Sequence, residues 1–120
     1  MSDVAWETRN NARVHGPTRV GCAALSESGE IFRGCNIEHR FRSHDIHAEV
    51  NAISSLVANG SSRLVAILIA AERDRFTPCG SCMDWVFELG GENCLVLSER
   101  LPGVANNELT AQELMPFYPF

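Results

Sequence analysis

The sequence has no lysine. All ten of its cationic side chains are arginines, set against fifteen acidic residues for a formal charge of −5. That balance argues against a nucleic-acid partner, which normally needs a broad basic face. It also lacks any apolar run of membrane-spanning length; the longest, Leu64–Ala71, has the length of a buried strand. No membrane partner is therefore expected. No basic leader followed by an apolar stretch opens the chain, so a cytoplasmic protein is the expectation. Repeats, low-complexity tracts and internal linkers are missing as well, and a hydrophobic content of 45% excludes a disordered chain. A length of 120 residues points to one globular domain over 1–120.

Five cysteines is an odd number, and a disulfide framework is not expected in a reducing compartment. Cys22, Cys35 and Cys94 each sit alone in apolar, strand-like surroundings and read as small buried hydrophobes. Cys79 and Cys82 form a CxxC pair and need another explanation. Among the arginines, Arg33, Arg40 and Arg42 lie near one another in sequence and could meet a phosphate or carboxylate. Solvated surface or an interface is the blander reading of such a run.

The patterning predicts a helix from a Ser2-Asp3 cap through Val4, Trp6 and Val14. Two strands follow, Val20–Leu25 and Glu30–Asn36, joined by a turn at Ser26–Gly29. An irregular polar stretch from His39 to Asp45 leads into a helix over Ile46–Ala58, closed by Asn59-Gly60, with Ile46 and Ile53 in the core. Leu64–Ala71 reads as a central strand covered on both faces. A second long helix starts at Thr77-Pro78 and stops at Gly90-Gly91, followed by a strand over Asn93–Ser98 and a short helix from Thr110. The order β-β-α-β-α-β implies a layered α/β domain with its later strands parallel.

Two helix starts carry candidate chemistry: His47-Ala48-Glu49, and Pro78-Cys79-Gly80-Ser81-Cys82. A CxxC on the first turn of a helix points both sulfurs the same way, where free N–H groups and the helix dipole favour thiolates. Two thiolates and one imidazole suit zinc and leave its fourth tetrahedral position to water. Zinc lowers the pKa of such a water toward ~7. A carboxylate two residues from the histidine can then take its proton. A lone CxxC could instead be a redox pair, or half of a structural zinc site with Cys35, His39 or His44 as a further ligand. The redox reading gives His47 and Glu49 no role. Together the two motifs match the H-x-E…P-C-x-x-C pattern of zinc-dependent nucleobase deaminases.

From Val20 onward the chain resembles the cytidine deaminase family. Val20-Gly21-Cys22-Ala23-Ala24-Leu25 is similar to its V-G-A-A-L strand, Gly34-Cys35-Asn36-Ile37-Glu38 to its G-C-N-x-E segment, and Glu113-Leu114-Met115-Pro116 to its terminal E-L-L-P. The resemblance implies a three-layer α/β/α sandwich with a five-stranded mixed sheet, forming one catalytic domain. It implies one Zn²⁺ on His47, Cys79 and Cys82, with Glu49 carrying protons. It further implies Asn36 and Glu38 at the ribose hydroxyls, the Ala48 N–H at the pyrimidine carbonyl oxygen and the Thr77 carbonyl at the exocyclic amine. The partners it implies are a small-molecule nucleoside substrate and further copies of the chain, a homotetramer being favoured over a dimer. The reaction would be hydrolysis of a cytosine-type nucleoside to its uracil form with release of ammonia.

This chain also departs from the family pattern. His47 replaces a cysteine common in short members, and Val50 an arginine; two thiolates and a neutral imidazole already balance the metal, so the substitutions agree. Thr18-Arg19 stands where a substrate-side Phe is expected, and His39-Arg40-Phe41-Arg42 where small residues and a tyrosine are. Pro119, flanked by Tyr118 and Phe120, stands where a terminal Phe is expected. These positions would surround the sugar. A blasticidin-type antibiotic, a nucleotide, guanine or tRNA adenosine therefore stay open as substrates, as does a non-catalytic zinc-stabilised interaction module. The PFYPF tail reads as a substrate neighbour, core packing or a subunit contact.

Overall fold

The computed structural model describes residues 1–119. β1 (Val20–Ser26) and β2 (Ile31–Cys35) form an antiparallel hairpin, with Gly29 supplying the positive φ that its turn requires. β3 (Leu64–Ala71) is buried along its whole length except at Val65 and, with β4 (Leu95–Leu101) and β5 (Val104–Thr110), completes a five-stranded sheet of order β2-β1-β3-β4-β5 with β3 at its centre. β1 pairs antiparallel with β3, and β4 pairs parallel with it. The α/β/α layering and the mixed five-stranded sheet are those the resemblance implied.

Period-two alternation divides the core between the two sheet faces. Cys22, Ala24, Ile67, Ile69 and Val96 face α2 (Ala48–Ala58), α3 (Gly80–Gly90) and the short α4 (Ala111–Leu114). Ala23, Leu68 and Ala70 face α1 (Ser2–Arg9) on the other side. Cys22, Cys35 and Cys94 are buried and free, as the small-hydrophobe reading expects.

The direction of the strands places the site. Because β1 runs antiparallel to both β2 and β3, those two strands run the same way. The helices that follow them, α2 and α3, therefore begin at the same edge of the sheet. In layered α/β folds that edge is where ligands bind. The loop between β2 and α2 is closed at its base by reciprocal backbone hydrogen bonds between Ile37 and Ile46.

The local structure departs from the sequence reading at four elements. α1 ends at Arg9 instead of reaching Val14, and Ser2 is not its cap: the hydroxyl donates to the Glu99 carboxylate at 2.6 Å. β5 (Val104–Thr110) was invisible to the patterning because VANNELT is polar and mostly exposed; it forms by antiparallel pairing with the edge of β4. Ile46 is 40% exposed, since α2 begins two residues later, whereas Ile53 is buried. α3 begins at Gly80, not at Thr77-Pro78.

Candidate active site

Neither α2 nor α3 carries a conventional capping side chain. Their N-cap residues are His47 and Cys79, both extended in backbone, and neither makes a side-chain cap hydrogen bond. The first-turn N–H groups consequently stay available where the two helix starts meet. Among the described residues, the Ala48 N–H and the Thr77 carbonyl have no hydrogen-bond partner.

His47 Nδ1 lies 3.3 Å from both Cys79 Sγ and Cys82 Sγ, and the sulfurs are 3.6 Å apart. A zinc with bonds of about 2.3 Å to sulfur and about 2.0 Å to nitrogen needs tetrahedral edges of roughly 3.5–3.8 Å. The triangle is therefore close to the size that zinc requires. Among the described residues no fourth ligand joins it: Cys35, His39 and His44 all lie outside the cluster. A closed structural site is thus not formed.

Burial grades across the cluster. His47 and Cys79 are exposed, whereas Ala48, Glu49 and Cys82 are buried, Glu49 with only 3% of its surface accessible. Desolvation raises the Glu49 carboxyl above its ordinary range, opposed by its own backbone N–H and by His47. Burial pushes the Cys82 thiol far up as well, with Glu49 and Cys79 adding to it. A divalent cation reverses that preference, and two sulfurs with an imidazole are a donor set that suits it.

A cavity of about 310 Å³ opens over these residues. It brings together Asn36, Glu38, His47, Ala48, Glu49, Thr77 and Cys79 from the sequence reading with Thr18 and Arg42, which that reading also singled out, and adds Arg73 and Phe76. Asn36 is held at both ends of its amide, by the Val20 N–H and the Thr18 carbonyl. Glu38 Oε1 accepts from the His15 and Gly16 backbone, and Oε2 pairs with Arg42 at 3.1 Å. The Gly16 and His15 N–H groups hold the Glu38 carboxyl below its usual range.

The arginine cluster suggested by sequence does not gather. Arg33 pairs with Glu7, Arg42 bridges Glu38 and Asp45, and Arg40 is exposed away from the cavity. Of the aromatic tail, Tyr118 stacks on Phe87 at 3.9 Å and donates to Asp84, so it packs on α3 and does not line the cavity. Phe120 lies outside the described residues.

Three ligands, no fourth among the described residues, and a buried carboxylate beside them define a zinc-dependent hydrolytic centre. Residues 1–98 match the family described as "Cytidine and deoxycytidylate deaminase zinc-binding region". A cytidine deaminase of Halalkalibacterium halodurans is 33% identical over 114 residues, covering 93% of this chain and 86% of that one. The probable cytidine deaminase of Dictyostelium discoideum is 38% identical over 74 residues, which are 60% of this chain and 50% of that protein. The crystal structure of cytidine deaminase from Burkholderia pseudomallei superposes with a TM-score of 0.86 at 27% identity, covering 96% and 93% of the two chains. The chain belongs to the cytidine and deoxycytidylate deaminase family.

Proposed function

We propose that this protein hydrolyses the exocyclic amine of a cytosine nucleoside, giving the uracil form and ammonia. The observation that carries the reading is Glu49: a buried carboxylate two residues from one ligand, on the turn that also presents the unpartnered Ala48 N–H. His47, Cys79 and Cys82 would hold the metal. Zinc, when bound there, acidifies a water and so supplies the nucleophile at neutral pH. Glu49 would carry two protons: one from the water as its oxygen adds to the amino-bearing ring carbon, passed to the ring nitrogen, and a second from the hydroxyl so formed, passed to the amine as the C–N bond breaks and ammonia leaves. The Ala48 N–H orients the pyrimidine carbonyl oxygen and the Thr77 carbonyl accepts from the amine. Asn36 and Glu38 line the same cavity and would meet the sugar hydroxyls, their own hydrogen bonds fixing them before binding.

Glu49→Gln tests this reading. It preserves shape and removes the proton carrier, so ammonia release should fall by about 10²–10⁴ while zinc content and folding are retained. Full activity in that variant would refute the assignment.

A homo-oligomer, tetramer favoured over dimer, is part of the same proposal. It is supported by an apolar groove on the outer face of α2 and α3, lined by Val50, Ile53, Val57 and Trp85. Val57 and Trp85 are each about half exposed in the single chain. Light scattering on the purified protein decides it, with a monomeric mass counting against. Cytoplasmic placement is supported by five free cysteines, since that compartment keeps thiols reduced. A fractionation experiment that found the protein outside the cytoplasm would contradict it.

A further inference from the structure

One side chain ties the metal-ligand turn to the end of the strand that leads into the cavity. β2 is an edge strand, and successive backbone N–H groups along it point in turn toward β1 and toward the open edge. That of Asn36 goes to the Val20 carbonyl at 3.2 Å, so that of the buried Cys35 before it faces the open edge. Asn51 of α2 supplies its partner, with Oδ1 accepting from the Cys35 N–H at 3.0 Å. Because an N–H can only donate, the contact also fixes which way the amide is turned. The Asn51 N–H in turn donates to the His47 carbonyl at 2.9 Å, within the first turn of α2. At Gly34, next to Cys35, the helix and strand backbones approach so closely that a Cβ would meet the Ala48 carbonyl and the Ala52 N–H.

Asn51 thus stands between two sets of cavity residues without lining the cavity itself. On its helix are His47, Ala48 and Glu49. Across its hydrogen bond the next residue is Asn36, whose amide is held by the Val20 N–H and the Thr18 carbonyl. We propose that Asn51 is a positioning residue that sets the reach between Asn36 and the metal-ligand turn, so that a nucleoside held by its sugar has its base in register with Glu49. The proposal rests on the deaminase reading and concerns how sugar binding is converted into rate. Asn51 acts through Cys35 and Asn36 and touches no substrate. An ångström-scale error in such a frame costs up to about 10²-fold in rate.

The test compares kcat/KM for cytidine and for 2′,3′-dideoxycytidine, which lacks the hydroxyls that Asn36 and Glu38 would meet. The zinc-loaded protein is used, with rates expressed per bound zinc. Wild type should favour cytidine, and Asn51→Ala should shrink that ratio by about tenfold, the loss falling on kcat more than on KM. Asn51→Asp keeps an acceptor oxygen in the same place and should preserve the ratio, whatever it does to either rate alone. Asn51→Gln keeps the amide but moves it by one methylene, and should shrink the ratio. That variant decides the matter if Asn51→Ala does not fold. A purely structural side chain would slow both substrates equally. An unchanged ratio in Asn51→Ala or Asn51→Gln, or a ratio lost in Asn51→Asp, therefore overturns the positioning role and leaves the deaminase reading intact. A wild-type ratio near one does the same. Absence of ammonia from both nucleosides with the wild-type protein overturns both.

Discussion

The two faces of the sheet are covered in different ways, and only one carries chemistry. On the α2/α3 side large residues such as Leu56, Ile67, Ile69, Met83 and Val86 fill the core, and the helix starts converge on the metal cluster. On the α1 side the contact is thin and built from Ala5, Ala23, Leu68 and Ala70. A buried carboxylate fastens it: Glu99 Oε1 accepts from Ser2 Oγ, Trp6 Nε1 and the Gly103 N–H at 2.6, 2.9 and 3.1 Å. Each face also has a glycine where a helix approaches a strand too closely for a side chain. A Cβ at Gly34 would meet the Ala48 carbonyl and the Ala52 N–H of α2, and one at Gly21 the Ala5 carbonyl of α1. The same device thus sets the depth of both helices, yet only α2 brings reacting groups with it. The face that holds α1 governs stability, and the other face governs both stability and reaction.

That contrast can be broken by experiment. The largest effect should come from Cys82→Ser, which removes a buried ligand: metal content measured by elemental analysis should collapse, and ammonia release with it. A Cys82→Ser protein that held zinc and turned over normally would dissolve the contrast. Next come the paired glycines. Gly34→Ala should displace α2 and lower kcat/KM by about 10²-fold, the usual cost of an ångström-scale misplacement. Gly21→Ala should cost about 1–3 kcal/mol in urea unfolding and leave kcat near wild type. Equal losses of activity in the two folded variants would mean that the faces are coupled. Glu99→Gln should destabilise by about 1–3 kcal/mol without changing KM, because it weakens three hydrogen bonds remote from the cavity. Ser2→Ala should show the smallest effect, about 0.5–1.5 kcal/mol, read from the same unfolding curves.

How much of this was legible in the sequence follows the range of the interactions involved. His47, Glu49, Cys79 and Cys82 could be read because each motif lies within one helical turn, where spacing alone fixes which side chains share a side. β5 could not be read from its own residues, since a polar edge strand acquires its structure from its neighbour. Ser2 illustrates a local rule overridden from 97 residues away, its hydroxyl going to Glu99 instead of a helix end.

The Ile37–Ile46 bridge has one more consequence, for how such a protein changes over time. Because reciprocal hydrogen bonds close the base of the 38–45 loop, the segment between them is anchored independently of what it contains. Residues there can be exchanged, or the loop lengthened, without shifting His47, the residue just beyond the bridge. Selection or a protein engineer can thus revise the rim of the cavity while the metal-ligand cluster beneath it is inherited unchanged.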